Sequence, residues 1–419
     1  MKPFIVPKDA TSWVEVAPGS DFPIQNLPFA VVDHKGRGEG MVCAIGDFAL
    51  DLTYLYEEGF IDEEEFPWLD SMAALDREMM TELRSRIFTL LSAENSELRD
   101  NAKHRKRALL PLAGLAFQVP IPPTTFVDFY SGIHHASNVG RMFRPDQPPL
   151  LPNYRHVPIG YNGRASSVVA TGTNIIRPKG QTKAPDAEGP SFGPTAEMDF
   201  ELEMGFYIGH GQEMGKRITC KAAEEHILGM VIVNDWSARD VQRWEYQPLG
   251  PFLSKSFATS VSPWLVTLDA LEPFRIEGME QDPEVLHHIR RQGQQHFDIN
   301  LEVWLQSAKM KKPQRICVSN AKHLYWSMSQ QLAHQTSNGT PVEFGDLYAS
   351  GTISGPEEGS FGSMLELTWR GSKPLTLEET GETRTFLEDG DVLTMKAFAE
   401  SDGLRIGFGA CSGKILPAN

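Results

Sequence analysis

The amino-acid sequence predicts a mainly β protein with a few helices. The 419 residues include 36 glycines and 29 prolines, a density that favours short strands and turns over long helices. Short apolar runs that suit strands recur beyond residue 120. The chain also carries 41% hydrophobic residues, with 23 Phe and 8 Trp, so a disordered chain is excluded. At roughly 150 residues per domain, this length suggests two domains or one unusually large one.

The first 120 residues are predicted to begin with a small β element. The runs Leu27–Val32 and Met41–Ile45 indicate two strands, because each is apolar and short. Between them, Lys35–Gly38 has the composition of a turn. We therefore expect a strand pair near the start of the chain.

One amphipathic helix is predicted from Ser71 onward. Apolar residues recur there every four positions between charged neighbours, which places them on one helix face: Leu75, Met79, Leu83 and Ile87. The following segment, Leu109–Pro123, is apolar but rich in Pro and Gly, which is typical of a crossing between domains. These features place a domain boundary near residue 120, giving domains 1–120 and 121–419.

The second domain is predicted to be mainly β. Its strand-like runs are Ser166–Ala170, Phe200–Ile208, Met230–Val233, Trp264–Thr267, Phe297–Leu305 and Val392–Ala397. Two helices are expected, at Ala222–Leu228, ended by Gly229, and at Lys322–Ala333.

Charge and cysteine usage narrow the possible partners. A formal net charge of −16 repels nucleic-acid phosphates and anionic lipid, so neither nucleic acid nor a membrane is an expected partner. The chain also has no stretch of 18 apolar residues, the length that would indicate a membrane-spanning helix.

The four cysteines lie far apart in the sequence, which suits free thiols in a reducing compartment. We expect a cytoplasmic location.

An acidic ridge is the most informative local pattern. In a strand, residues two apart face the same side, so Asp199, Glu201 and Glu203 are predicted to line up. One interpretation is a solvated acidic face. The other is a site for a hard divalent cation, which would relieve the repulsion between the carboxylates. Two further carboxylates, Asp128 and Asp235, sit in motif-like stretches elsewhere in the chain. A cluster of carboxylates suits calcium, magnesium or manganese better than zinc, which prefers His and Cys.

Three further stretches could carry chemistry. His134 and His135 form a pair in which one residue could act as a general base, or both could be structural. The aromatic and charged segment Asp235–Phe257 could line a pocket for a small carboxylate, or form an anchored surface loop. The small-residue loop Ala349–Gly355, followed by Glu366, could approach a ligand or be a plain turn.

Taken together, six motifs resemble the fumarylacetoacetate hydrolase family. They are Asp128–Tyr130, His135–Gly140, Gly160–Ser167, Glu201–Glu203, Asn234–Asp240 and Ser350–Gly355. The resemblance covers most of the chain and implies a small SH3-like N-terminal barrel, a large C-terminal mixed β-roll with a few helices, and a homodimer. It also implies hydrolysis of 4-fumarylacetoacetate, a β-diketo acid, to fumarate and acetoacetate, the last step of tyrosine and phenylalanine breakdown.

The same resemblance implies roles for individual residues. It places the metal ligands for Ca²⁺ or Mg²⁺ at Asp128, Glu201, Glu203 and Asp235, with a second ion site at Asp235, Lys255 and Thr259. It makes His135 the general base and Glu366 its orienting partner. Groups that polarise the diketone or hold the leaving group fall on Arg144, Gln242 and Lys255. Further substrate contacts fall on Tyr130, Tyr161, Tyr246 and Thr352.

Two alternatives stay open at this point. Within the superfamily, an acylpyruvate hydrolase, isomerase or decarboxylase would use similar acidic ligands. From a different class, a calcium-stabilised β scaffold would bind a partner without catalysis. The N-terminal unit and the Asp128–Arg144 stretch favour the fumarylacetoacetate-cleaving enzyme.

Overall fold

The computed structural model describes residues 2–34, 38–62, 66 and 75–419, and within them the predicted mainly β fold with few helices is confirmed. The N-terminal unit is an antiparallel five-stranded sheet in the order β4-β3-β2-β1-β5. Its strands are β1 (Phe29–His34), β2 (Gly38–Ile45), β3 (Phe48–Asp51), β4 (Leu109–Pro111) and β5 (Ala116–Phe117). The segment predicted as a plain crossing therefore supplies two strands to this sheet.

Three helices accompany the first sheet: α1 (Leu52–Glu57), α2 (Arg77–Leu91) and α3 (Ala102–Ala108). Asp76 caps α2 by accepting a hydrogen bond from the backbone N–H of Met79 at 2.9 Å. Leu83 and Ile87 are buried, as the four-residue spacing predicts. The part of the predicted helix at 71–74 and the predicted turn at 35–37 lie outside the described residues.

The remaining strands form the larger unit. They are β6 (Phe126–Phe129), β7 (Gly160–Asn162), β8 (Val168–Ala170), β9 (Ile175–Ile176), β10 (Lys179–Thr182), β11 (Ser191–Pro194), β12 (Met198–Asp199), β13 (Leu202–Ile208), β14 (Ile227–Asp235), β15 (Ser237–Ala238), β16 (Thr259–Val261), β17 (Val266–Thr267), β18 (Arg275–Ile276), β19 (His296–Phe297), β20 (Asn300–Gln306), β21 (Gln314–Asn320), β22 (Leu347–Ala349), β23 (Leu375–Thr376), β24 (Thr383–Arg384), β25 (Val392–Ser401) and β26 (Leu404–Leu416).

The helices of this unit are short. They are α4 (Ile133–Phe143), α5 (Arg239–Glu245), α6 (Leu268–Leu271), α7 (Met328–Gln335) and α8 (Met364–Leu367), with single 3₁₀ turns at Ala165–Ser167, Ala223–His226, Glu272–Phe274, His287–Ile289 and Ala321–His323. Among the helices of the described residues, none is both long and apolar enough to cross a bilayer.

A central sheet organises the larger unit, in the order β7-β6-β22-β13-β14-β16-β8, with β17 also paired to β14. Its two longest strands, β13 and β14, are buried at every position. One face, including Met204 and Ile232, packs into a core shared with the second sheet, β21-β20-β25-β26-β9. The other face, including Tyr207 and Val233, packs against the N-terminal unit. This two-sided burial explains why both strands read as continuous apolar runs.

The N-terminal unit is also tied to the larger unit by polar contacts. The Asp269 carboxylate, at 2% exposure, accepts hydrogen bonds from the backbone N–H of Phe4 at 3.0 Å and from Thr81 Oγ1 at 2.8 Å. Arg77 of α2 forms an ion pair with the same carboxylate at 3.2 Å. Phe29 of β1 forms a bridge with Leu265, next to β17. The two units therefore share one extended interface.

Two predicted helices differ from the observed elements. The segment Ala222–Leu228 forms only a 3₁₀ turn, and Gly229, its predicted end, lies inside β14. The apolar run Ile227–Asp235 is buried as a strand, and this burial outweighs the local helix pattern. In Lys322–Ala333, the helix proper begins at Met328, because Ser327 caps it and Gln330 completes a capping box.

Candidate active site

Four carboxylates cluster at one end of the central sheet. Each of them offers an oxygen within 4.8 Å of the others: Asp128, Glu201, Glu203 and Asp235. All four side chains are buried, at 5% exposure or less. The interpretation of the acidic ridge as a solvated face is therefore wrong.

Strand register explains how residues distant in the sequence meet. Asp128 of β6 lies opposite Ala349 of β22, and Ala349 lies opposite Gly205 of β13. Glu203 is two residues from Gly205 and so shares its sheet face. Across the next strand pairs, Asp235 at the end of β14 lies opposite Thr259 of β16. Glu203 and Asp235 therefore lie on the same sheet face as Val231 and Val233. Together with Asp128, they bring carboxylate oxygens from β6, β13 and β14 to one place.

The predicted alignment of three acidic residues is wrong at Asp199. The chain leaves strand conformation at Phe200 and Glu201, between β12 and β13, so the simple alternation is interrupted. Asp199 instead accepts hydrogen bonds from the backbone N–H groups of Met364 and Leu365. The ridge therefore supplies two members of the cluster, and Asp128 and Asp235 supply the others.

Cationic and hydroxyl groups compensate part of the cluster's charge. Lys255 Nζ donates to Glu201 Oε2 at 2.5 Å and to Asp235 Oδ2 at 2.7 Å. Asp235 also accepts from the Tyr161 hydroxyl at 2.7 Å and from Thr259 Oγ1 at 3.0 Å. Burial alone would lower the pKa of Lys255, but Asp235 and Glu201 raise it above its usual value. Lys255 is therefore a permanent cation here.

Two of the carboxylates keep uncompensated oxygens. Asp128 Oδ1 and Glu203 Oε1 are buried and have no hydrogen-bond partner among the described residues. Burial, together with repulsion from neighbouring carboxylates, raises the pKa of both groups well above the usual range. Burial acts on Glu201 in the same direction, but Lys255 and Arg239 outweigh it and lower the pKa of Glu201. Inward-facing, unpartnered carboxylate oxygens fit a hard divalent cation, so this cluster could hold a metal ion.

A second group of residues centres on His135 and Glu366. His135 Nδ1 lies 2.6 Å from Glu366 Oε2, and both side chains are buried. Asn138 Nδ2 donates to Glu366 Oε1 at 2.9 Å, and Ser354 and Ser363 donate to Oε2. Burial would raise the pKa of Glu366, but His135 and these hydrogen bonds lower it overall. Since an ionised carboxylate only accepts, His135 Nδ1 must donate, which leaves Nε2 as the acceptor in the neutral ring.

Helix α4, which carries His135, was not predicted. Its apolar positions, such as Ile133, Ala136 and Phe143, do recur every three or four residues, which is the signal that could have found it. Glycines at both ends obscure that pattern. A Cβ at Gly132 would lie 2.2 Å from the carbonyl oxygen of Thr352, and one at Gly140 would lie 1.8 Å from that of Pro149. Close packing of this helix against loops therefore requires the glycines that weaken its sequence signature.

The other residues that the resemblance singled out differ in placement. The Tyr130 ring contacts the His135 ring edge-on at 5.4 Å, and Thr352 is buried with an unpartnered Oγ1. Arg144 follows α4 and has a buried, unpartnered Nε. Gln242 accepts a hydrogen bond from Arg239 Nη1 at 3.1 Å. Tyr246 follows α5, where its backbone N–H donates to the carbonyl oxygen of Gln242 at 3.0 Å, and 43% of its surface is exposed.

Sequence reasoning assigned no role to Arg239, although it stands in one of the quoted motifs. Its Nε donates to Asp199 at 2.8 Å and its Nη1 lies 2.8 Å from Glu201 Oε1. Asn138, Ser354 and Ser363, which hold Glu366, were likewise missed. Asn138 gives no local signal, because Glu366 lies 228 positions away. Ser354 is 12 residues from Glu366, and Ser363 is three residues before it with the spacing of a helix cap, a local signal that could have found Ser363.

Fold and site together define an enzyme in which a buried carboxylate cluster at one end of the central sheet accompanies a buried His–Glu pair carried by helices α4 and α8. Two family models match the chain: "Fumarylacetoacetase N-terminal" over residues 25–120 and "Fumarylacetoacetate (FAA) hydrolase C-terminal" over residues 124–416. The chain belongs to the fumarylacetoacetate hydrolase family, as its motifs predict.

Characterised relatives match along nearly the whole chain. The fumarylacetoacetases of Caenorhabditis elegans and Bos taurus are each 48% identical, covering 97% of this chain and 99% of theirs. Among solved structures, the fumarylacetoacetate hydrolase of Exiguobacterium antarcticum is similar with a TM-score of 0.50 at 17% identity, covering 94% of this chain and 100% of that one. At that identity the structural match supports the fold alone.

Cation binding is expected to release protons. Burial and neighbouring carboxylates raise the pKa of Asp128 and Glu203, whereas a bound divalent cation would favour their ionised forms. The affinity for Ca²⁺ should therefore rise with pH until both groups are ionised. Calorimetry at several pH values, in buffers of different ionisation enthalpy, measures both quantities.

Two variants, one inside the cluster and one outside it, test whether the released protons come from the cluster. Glu203→Gln should weaken Ca²⁺ binding and reduce the number of protons released. Glu197→Gln is the control, since Glu197 is partly exposed and pairs with Arg243 outside the cluster. Affinity that does not change with pH, with no proton release in the parent, would contradict the assignment of this cluster as a cation site.

Proposed function

We propose that this protein hydrolyses the carbon–carbon bond of 4-fumarylacetoacetate to give fumarate and acetoacetate, the last step of tyrosine and phenylalanine breakdown. The observation that carries the proposal is the buried His135–Glu366 pair on the fold that holds the four-carboxylate cluster. The relatives that match 97% of the chain are named fumarylacetoacetases, which supports this substrate over an acylpyruvate. Their names also favour an enzyme over a non-catalytic scaffold.

His135 acts as the general base in this proposal. Its Nε2 takes a proton from water while Nδ1–H stays hydrogen-bonded to Glu366, whose negative charge stabilises the imidazolium that forms. The hydroxide adds to the ketone carbon next to the bond that breaks. The electron pair of that bond leaves as the enolate of acetoacetate, which then takes up a proton. Atoms and charge therefore balance without a covalent enzyme intermediate.

The remaining residues supply charge and orientation. Asp128, Glu201, Glu203 and Asp235 would hold Ca²⁺ or Mg²⁺, which when bound stabilises negative charge on the substrate's oxygens. A second ion at Asp235, Lys255 and Thr259 remains part of the proposal, with Lys255 contributing its backbone carbonyl oxygen, because its protonated Nζ has no free electron pair. Lys255, Arg144 and Gln242 polarise the diketone and hold the leaving group, because their donors suit a developing oxyanion. Tyr130, Tyr161, Tyr246 and Thr352 complete the substrate contacts.

The direct test is to mix the protein with fumarylacetoacetate and follow the loss of the diketone absorbance. We expect turnover that requires added Ca²⁺ or Mg²⁺ after treatment with a chelator. Acylpyruvate is the comparison substrate and should be cleaved with a much lower kcat/KM. Preferential cleavage of acylpyruvate, or isomerisation without cleavage, would instead favour another activity within the family.

The two adjacent histidines allow a sharp test of the base. His135→Ala should reduce kcat by about 10² to 10⁴, the range for loss of a general base, while Ca²⁺ binding stays close to that of the parent. His134→Ala is the matched control, because His134 is half-buried and packs against the ring of His323 instead of Glu366. A larger loss of kcat in His134→Ala than in His135→Ala would contradict the assignment.

A homodimer is part of the proposal. Large apolar side chains after α5 are exposed together, with Leu249 at 96%, Phe252 at 69% and Leu253 at 53% exposure, and a second copy could cover them. Light scattering should give twice the monomer mass, and the double variant Leu249→Asp/Phe252→Asp should give a monomer. Met214→Asp, at another exposed apolar residue, should leave the mass unchanged. A monomeric parent would contradict the dimer.

Two other expectations stay predictions. The division into domains 1–120 and 121–419 is supported by family matches that end at residue 120 and resume at residue 124. A cytoplasmic location is supported by four cysteines that are all buried and unpaired.

A further inference from the structure

Asp199 belongs neither to the carboxylate cluster nor to the His135–Glu366 pair, but it is connected to both. Its Oδ1 accepts hydrogen bonds from the backbone N–H groups of Phe200 at 2.8 Å and Met364 at 2.7 Å. Its Oδ2 accepts from the N–H of Leu365 at 3.0 Å and from Arg239 Nε at 2.8 Å. Four donors therefore surround a fully buried carboxylate.

The first connection leads to the general base. Met364 and Leu365 directly precede Glu366 in α8, a helix of only four residues. A helix this short has little stability of its own, so contacts from outside must fix its position. Asp199 binds two of its backbone N–H groups, and Ser363 caps the same helix by accepting from the N–H of Glu366. The position of Glu366, and through it the orientation of His135, therefore depends on Asp199.

The second connection leads to the carboxylate cluster. Arg239 Nε is bound to Asp199, and Nη1 of the same guanidinium lies 2.8 Å from Glu201 Oε1. Because the guanidinium is planar and rigid, fixing Nε also fixes the direction of Nη1. Asp199 therefore determines where Arg239 meets Glu201.

We propose that Asp199 is a positioning residue that fixes the distance and orientation of the His135–Glu366 pair relative to the carboxylate cluster. The proposal rests on the proposed function, since this geometry matters only if water activated at His135 reacts with a substrate held beside the cluster. Displacements near 1 Å at a reacting centre can cost about 10²-fold in rate. A single side chain that holds both groups is therefore well placed to control turnover.

The test variant is Asp199→Asn. The shape is kept, but the amide nitrogen cannot accept from the donors that face it. The variant therefore loses either the bonds of Oδ1 with Phe200 and Met364 or the bonds of Oδ2 with Leu365 and Arg239, and in both cases α8 loses one of its two contacts. We expect kcat to fall about 10- to 100-fold with KM nearly unchanged. The proton shared by His135 and Glu366 should appear far downfield in the NMR spectrum of the parent, and its chemical shift should change in the variant.

Asp391→Asn is the matched control. Asp391 is as buried as Asp199, and it accepts from Arg384 Nε at 2.9 Å, Arg384 Nη2 at 3.0 Å and the N–H of Glu388 at 2.9 Å. These partners belong to neither part of the site. Asp391→Asn should lower the free energy of unfolding but keep the parent's kcat and downfield resonance.

Equal losses of kcat in both variants, or a parent-like kcat and resonance in Asp199→Asn, would overturn the proposal. If Asp199→Asn does not fold, Asp199→Glu keeps the negative charge and displaces the carboxylate. It should retain Ca²⁺ binding and show the same loss of kcat and changed resonance, and parent-like values would overturn the proposal. A parent that does not cleave fumarylacetoacetate refutes the proposed function, whereas the NMR comparison tests the connection independently of substrate.

Discussion

The burial of four carboxylates at one end of the central sheet is the constraint on which the rest of the site depends. Charges removed from water repel each other strongly and lose hydration, at a cost of several kcal/mol for each ion. Two cations face this cluster, Lys255 and Arg239, and Arg239 is shared with Asp199. When all four carboxylates are ionised, the cluster therefore carries an excess of negative charge. Two of its members, Asp128 and Glu203, each have an oxygen that accepts no hydrogen bond from the described residues. A divalent cation would neutralise the negative charge and bind these oxygens.

The fold holds the carboxylates in place on strands that are packed on both faces. Glu203 and Asp235 lie on β13 and β14, which are covered on one face by the second sheet and on the other by the N-terminal unit. The small residues Ala349, Ser350 and Gly351, at the end of β22 and the start of the loop that follows, let that loop pass close to β6. Gly351 has a φ of +78°, and a Cβ there would lie 2.1 Å from the carbonyl oxygen of Phe129. Its N–H can therefore reach Glu203 Oε2 at 2.9 Å.

Much of the site could be predicted from residue types, and the rest depends on long-range packing. The alternation in Asp199–Glu203, with the carboxylates Asp128 and Asp235, indicated ligands for a hard cation. The resemblance then chose His135 from the His134–His135 pair and assigned Glu366 as its partner. The break in the strand at Phe200 and Glu201 could not be predicted, because Asp199 is diverted by backbone groups from residues 364 and 365. Helix α4 was missed for a related reason, since Gly132 is required by the loop at Thr352, far along the chain, and Gly140 by the nearby loop at Pro149.

The two parts of the site differ in how they are held. The carboxylates are fixed by strand register, which allows no slip because a shift of one residue would turn every side chain to the other face. His135 and Glu366 are 231 positions apart and lie on short helices, so their geometry depends on side-chain hydrogen bonds. Contacts between residues so far apart in the sequence carry a large loop-closure cost, which the packing of the surrounding fold must offset. The geometry of the His–Glu pair therefore depends on the completed fold, and on buried polar side chains such as Asp199 that join α8 to Arg239 beside the carboxylate cluster.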